Sequence, residues 1–508
     1  MRLYLSFFLF LWLNICLAQE PAKNQLAPCG TAPEISPLLK AYQSHPEAFS
    51  FERSSDTLYV GLQMHLLAKN DGTGRISKER LLDAFCQLNE DYAASNIRFY
   101  WKYDWNLIDS TGWYQHDSIT DGISMMLTNN VPGALNIYFA SNVAGNCGYN
   151  LPYGGVAMAH SCSGPGDHTW AHEVGHALSL PHPFLGWEGK TYSPINPTPD
   201  TLTYDYTHFH DTLDLAPAPL DTTVSERVDG SNCAVAADRI CDTPPDFLSY
   251  RWECNSDNNS LVLQTDVNGA TFRSDGTLFM SYALDACQSR FSNNQTAIMR
   301  EDLTSEHPDW LTPGPPPADI PGPVSLQFPI NDQEVPYSGT LVQWTPVSGA
   351  THYLLQASLL QSYILKAVDT IVTDPSVILP NLQPNRKYYW RVRPFNNWYS
   401  CVPFSGNGTF KTTNLVSTKE PSEDGWRCYP SVLASGQWLT VELPVTWVQH
   451  PVQYSVFDAA GHLVWQNSTT PSLEKLVLTL PSEKWPAGVY RLVATGETGV
   501  KTHTIVRG

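Results

Sequence analysis

The stretch that most constrains this chain is HEVGHALSLPH, His172 to His182. Residues four apart share a face only on a helix. His172 and His176 can therefore aim two imidazoles at one point if the chain is helical here. Glu173 reaches the same region from the side. Pro181 opposes a continuing helix, so the chain must turn, and the turn can bring His182 back as a third donor. Three neutral imidazoles around one point are a zinc ligand set that leaves the fourth position open. Glu173, kept off the metal, then has the place of a general base. The plain alternative is an amphipathic core helix with satisfied histidines, and the third, correctly spaced His weighs against it.

The rest of such a site is present further on. In GTLFMSYALDACQSRF, Met280 can form an apolar floor beneath a metal, and Tyr282 can donate a hydrogen bond to an oxyanion. The extended pattern H-E-x-x-H-x-x-G-x-x-H followed by such a Met-turn marks the metzincins. This chain departs from it at Ser179, where glycine is usual because the turn calls for a positive φ.

Three stretches, HEVGHALSLPHPF, ERVDGSNCAVAADRICDTPPD and LFMSYALDACQSRFSNNQ, resemble in order the signature stretches of the pappalysin (cytophagalysin) metzincins. The resemblance spans about residues 54–303. It implies a zinc endopeptidase with His172, His176 and His182 as ligands, Glu173 as base, Met280 as the Met-turn residue and Tyr282 as an aid to the transition state. It also implies a Cys254–Cys287 disulfide, structural Ca2+ with Asp238, Asp242 and Thr243 as candidate ligands, and Asp285 as a candidate S1′ residue selecting a basic side chain. Cys29, in LAPCGTAPE, resembles a cysteine switch that fills the open zinc position in a zymogen, a thiolate being a strong, soft ligand. A plain Cys29–Cys86 disulfide is the competing reading.

The N-terminus, MRLYLSFFLFLWLNICLAQE, has a basic n-region and an apolar run short for a membrane span. It reads as a signal peptide over residues 1–18. An exported chain forms disulfides, and the spacing of its cysteines suggests Cys147–Cys162, Cys233–Cys241 and Cys254–Cys287. A Cys401–Cys428 pair would leave Cys29 and Cys86 over. The formal net charge of −19 and the lack of basic clusters argue against nucleic-acid binding. No later stretch is apolar for long enough to span a bilayer.

Strands and two helices mix before TPGPPPADIPGP, a Pro-rich boundary. Short alternating strands follow it. The expected fold is multidomain: an α/β (α+β) metzincin-type catalytic domain, then two all-β sandwich domains. The expected boundaries are 19–53 propeptide, 54–311 catalytic domain, 312–323 linker, 324–414 first sandwich, 415–428 linker and 429–508 second sandwich. Trp344, Tyr388, Trp390 and Val392 resemble the core and tyrosine corner of fibronectin type III domains. YPSVL, FDAAGHLV, AGVYRLVATG and KTHTIVRG resemble the C-terminal sorting domain of the type IX secretion system of Bacteroidetes. That implies outer-membrane secretion machinery as a partner and a secreted or surface-attached product. The expectation is a secreted, latent zinc endopeptidase acting on proteins or peptides. Its rival is a catalytically silent secreted adhesin that binds through its sandwiches.

Overall fold

A computed structural model describes residues 23, 26–44, 56–152, 154–205, 220–314, 316–416, 426–433 and 438–507. The expected signal peptide lies outside the described residues, as do residues 45–55 at the expected end of the propeptide. The chain forms two compact units. The first comprises Met1–Val335, Leu341–Leu379 and Arg386–Lys411, and the second Pro336–Thr340, Pro380–Asn385 and Thr412–Gly508.

The first unit is built on a sheet whose central strand, β1 (Leu58–Ala68), is buried over its last nine positions. A strand covered on both faces reads as a continuous apolar run. Its partners are β2 (Ile97–Trp101), β3 (Asn106–Asp109), β4 (Leu135–Ala140), β5 (Gly148–Leu151) and β6 (Gly155–Ala159). The order is β2-β1-β4-β6-β5, with β3 also paired to β1. All pairings are parallel except that of β5, which runs antiparallel to β6 and closes the sheet at one edge.

Among the described residues, five helices of eight residues or more accompany this part: α1 (Pro37–Ser44), α2 (Lys78–Asp91), α3 (Ile119–Asn129), α4 (Thr169–Ala177) and α5 (Asn293–Ser305). In α2 the buried residues Leu81, Leu82, Phe85 and Leu88 repeat at helical spacing, and the Ser77 hydroxyl caps the first turn by accepting from the Arg80 N–H. Only α2 and α4 are expected from the sequence. α3 is capped by Ser118, and α5 begins with a capping box between Ser292 and Gln295. Leu38 and Leu39 of α1 join the main apolar core with Ile35, so this N-terminal segment packs with the part built on the β1 sheet.

The first sandwich packs a sheet of Leu326–Phe328, Leu341–Trp344 and Ser376–Ile378 against strands His352–Ser358, Lys366–Val372 and Lys387–Phe395. Trp344 and Trp390 sit between them, ring centroids 6.4 Å apart. Most of this sandwich belongs to the first unit, so the Pro-rich stretch does not separate it from the part built on the β1 sheet. The reason lies at α2. Cys86 is joined to Cys401, Arg391 pairs with Glu79 at 2.8 Å and Arg393 with Asp83, and Trp398 stacks on Tyr100 at 4.1 Å. Leu354 and Phe395 share the main core. This pairing replaces both the Cys401–Cys428 and the Cys29–Cys86 alternatives, and among the described residues Cys29 and Cys428 are in no disulfide. The remaining disulfides are Cys147–Cys162, Cys233–Cys241 and Cys254–Cys287.

The second unit is a sandwich of a three-stranded and a five-stranded sheet. Its hairpins are Val452–Phe457 with Leu463–Thr469 and Gly488–Gly496 with Gly499–Arg507. Trp447, Tyr454, Leu492 and Ile505 are buried between them.

Candidate metal centre

The helix α4 carries His172 and His176 and ends abruptly. The Leu180 N–H bonds the Gly175 carbonyl at 3.0 Å and the Ser179 N–H bonds the His176 carbonyl at 3.1 Å. That is the Schellman closure, whose penultimate residue is left-handed and usually glycine. Here it is Ser179, at φ 70°. Its hydroxyl donates to the buried Asp302 carboxylate on α5 at 2.5 Å, a bond that offsets the strain of a side chain in this region. The reversal carries His182 back over the helix.

The three Nε2 atoms converge. They lie 3.2 Å apart for His172 and His182, 3.1 Å for His176 and His172, and 3.1 Å for His176 and His182. Their tautomers follow from the other ring nitrogens. His172 Nδ1 meets the Phe279 carbonyl at 2.7 Å and His176 Nδ1 the Leu180 carbonyl at 2.7 Å. His182 Nδ1 faces the Glu188 carboxylate at 3.3 Å. The carbonyls only accept, as does Glu188 when ionised, its carboxyl being raised by burial to about 7, so Nδ1 carries the proton and Nε2 presents a lone pair. Burial lowers the pKa of His172 and His182 to about 3, which keeps both rings neutral. Three lone pairs pointed at one another repel unless a cation lies between them. Zinc–nitrogen bonds of about 2.0–2.1 Å in a tetrahedron imply nitrogens roughly 3.3 Å apart, so the donor set fits that ion.

Glu173 lies beside this point, fully buried. Burial raises its carboxyl to about 8. Gly148 of β5 makes room for it: a Cβ there would stand 2.6 Å from Glu173 Cγ. Met280 packs beneath the helix against Gly175, where a Cβ would meet the Met280 sulfur at 2.4 Å. This contact accounts for a glycine inside a helix, which costs about 0.5–1 kcal/mol relative to alanine. The Tyr282 ring lies 4.9 Å from that of His182. The Cys254–Cys287 disulfide and the pairing of Trp252 with Ala283 fasten the loop that carries Tyr282 and Asp285.

The N-terminal segment lies across the centre. Cys29 Sγ and the three imidazoles offer ligand atoms that all fall within 4.8 Å of one another. The segment runs along the chain leading into β5: Ala27 N–H bonds Gly145 O at 3.0 Å, Cys147 N–H bonds Ala27 O at 2.8 Å, and Gly30 N–H bonds Gly148 O at 2.9 Å. The Thr31 hydroxyl donates to Glu173 at 2.9 Å. The Tyr282 hydroxyl reaches the Cys29 carbonyl at 3.5 Å. Burial, and then the charge of Glu173, push the Cys29 thiol well up. Asp285 is not an isolated surface carboxylate. Lys23 bridges it, at 2.7 Å, to Asp167, at 2.6 Å.

The candidate calcium residues are partly brought together. Asp238 is buried and accepts from the Thr243 hydroxyl at 2.9 Å and the Ile240 N–H at 3.0 Å. Asp242 has both oxygens committed to the start of α5, through the Ser292 hydroxyl at 2.7 Å and the Asn294 N–H at 2.9 Å. The sequence reading missed Glu226, which is buried with one oxygen lacking any hydrogen-bond partner. Burial and the charges of Asp238 and Asp246 push its carboxyl up. Glu188, Lys23, Asp167 and Thr31 were missed too. Of these only Glu188 had a signal, an acid six residues after His182 in a turn-rich run.

The sequence matches no protein-family model. A curated relative, an extracellular metalloprotease of the fungus Verticillium alfalfae, is 30% identical over 227 residues, covering 38% of this chain and 79% of the relative. Among solved structures, the FN1–FN3 domains of chicken CNTN1 are 16% identical at a TM-score of 0.16, over 39% of this chain and 70% of that one. A DUF3244 protein of Bacteroides vulgatus with an immunoglobulin-like β-sandwich is 17% identical at 0.14, over 18% and 93%. Superpositions this slight say nothing about the chain. The fungal match rests on sequence and spans most of that relative: the chain belongs to the family of this extracellular metalloprotease.

Proposed function

We propose that the chain is a secreted zinc endopeptidase of the pappalysin type, made latent by its own N-terminal segment. The observation that carries this is the convergence of three unprotonated Nε2 atoms beside a buried carboxylate that is not one of the donors. His172, His176 and His182 would hold zinc, which would supply Lewis acidity when bound. Glu173, buried beside the imidazoles and not one of the donors, would hold a proton on its carboxylate and pass it to the leaving amine. Tyr282, whose hydroxyl already reaches a backbone carbonyl over the imidazoles, steadies the oxyanion. Met280 holds the floor. In the latent chain Cys29 would join the three imidazoles as a fourth donor, and the Thr31 hydroxyl occupies Glu173.

The same segment supports a basic-residue preference just after the scissile bond. Lys23 lies on the Asp285 and Asp167 carboxylates, and a substrate arginine would find the same pair of acceptors. Cleavage profiling on a peptide library reads this directly, and no enrichment of Arg or Lys at that position refutes it. Calcium among Asp238, Thr243 and Glu226 would relieve the crowding of buried carboxylates. A folded chain containing no calcium after growth with it would remove that assignment. The second unit is proposed as the type IX sorting domain, and secretion unaltered by deletion of residues 429–508 would exclude it. The mechanism is tested by Glu173→Gln. It is expected to keep its zinc and lose peptide hydrolysis by several powers of ten. Hydrolysis equal to the parent's would remove Glu173 from the chemistry.

A further inference from the structure

Two of the three imidazoles donate their Nδ1 protons to main-chain carbonyls, while His182 alone meets a side-chain carboxyl. His182 is also the donor that lies outside α4, so the helix does not orient its ring. The loop after it curls back: the Leu185 N–H bonds the His182 carbonyl at 3.1 Å and the Trp187 N–H bonds the Phe184 carbonyl at 2.9 Å. This brings Glu188 to the far side of the imidazole. One Glu188 oxygen is 3.3 Å from His182 Nδ1, and the other accepts the Gly186 N–H at 2.7 Å. Lys190 braces the loop by donating to the Gly186 carbonyl at 2.7 Å. Phe184 stacks on a face of the ring at 4.5 Å.

We propose that Glu188 is the positioning residue for the third ligand: its carboxylate fixes the Nδ1 proton and ring angle of His182 and so sets how tightly the metal is held. The inference rests on the zinc-peptidase reading. An anionic acceptor behind a histidine ligand makes the other nitrogen a better donor, and removing such a partner typically weakens metal binding about 10–100-fold. A neutral acceptor restores the orientation without the charge.

The test is competition for zinc between a chromophoric chelator and the full chain, in the parent, Glu188→Gln and Glu188→Ala. Each variant is also loaded with cobalt(II) for its visible spectrum. The expected zinc Kd rises about 10–100-fold in Glu188→Ala and less in Glu188→Gln, whose amide oxygen can still accept from Nδ1. The cobalt bands should shift in Glu188→Ala, a change that loss of fold stability alone would not produce. Should Glu188→Ala fail to fold, the Glu188→Gln comparison decides. A Kd within twofold of the parent's and an unmoved spectrum, in whichever variant folds, overturn the role of Glu188. A parent that takes up no zinc overturns the zinc reading itself, so the two failures are distinct.

Discussion

Ser179 shows what a sequence motif says and what it withholds. The spacing of His172, His176 and His182 is readable because it follows from helix geometry and one turn. The departure at Ser179 raises the question of how a serine sits where glycine is usual. The answer, Asp302, lies 123 residues away, and no local pattern could name it. The left-handed backbone costs an L-residue about 1–2 kcal/mol, and a buried acceptor left without its donor costs about 1–3 kcal/mol. Ser179→Ala keeps the strain and loses the bond, so it should destabilise the chain by about 1–3 kcal/mol. Ser179→Gly loses the same bond but relieves the strain, and should cost about 1 kcal/mol less. Denaturant unfolding of the two variants checks this. Glycine as costly as alanine would mean that the turn is unstrained.

At the scale of elements, legibility followed the strength of the periodic signal. The helix α2 has a clean apolar face and a good cap, and α4 carries the histidines. By contrast, α3 contains Gly122 and few buried apolar positions, and α5 is mostly polar on the surface. Their caps, Ser118 and the Ser292–Gln295 box, were the available signals. In the N-terminal segment Cys29 was readable as a Cys-Gly pair, whereas Lys23 and Thr31 were not, because their partners belong to distant loops. These contacts shape the prediction for latency. Cys29→Ala removes the thiol from the imidazoles but leaves the pairing with the chain before β5 and the Lys23 bridge. Peptide hydrolysis by the uncut chain should therefore rise on Cys29→Ala, and rise further when Lys23→Ala is added. An uncut parent already as active as the double variant would show that there is no switch.

Across the whole molecule, the change from mixed helices and strands to strands alone was legible at the Pro-rich stretch. The attachment of the first sandwich to the catalytic part was not, because it depends on Cys86 meeting Cys401, 315 residues on, and on ion pairs to α2. Local spacing could pair Cys147, Cys233 and Cys254 with near neighbours but gave no hint of this link. The proposed latency would likewise be a property of the assembled chain, with Cys29 beside the imidazoles and α1 packed into the core. The most direct test of the central claim is hydrolysis of a denatured protein by the chain cut before Asp56, measured before metal chelation, after it, and after zinc is restored. The account predicts hydrolysis that chelation abolishes and about one equivalent of zinc restores. Hydrolysis indifferent to chelation, or none from a cut chain carrying one zinc, would contradict it.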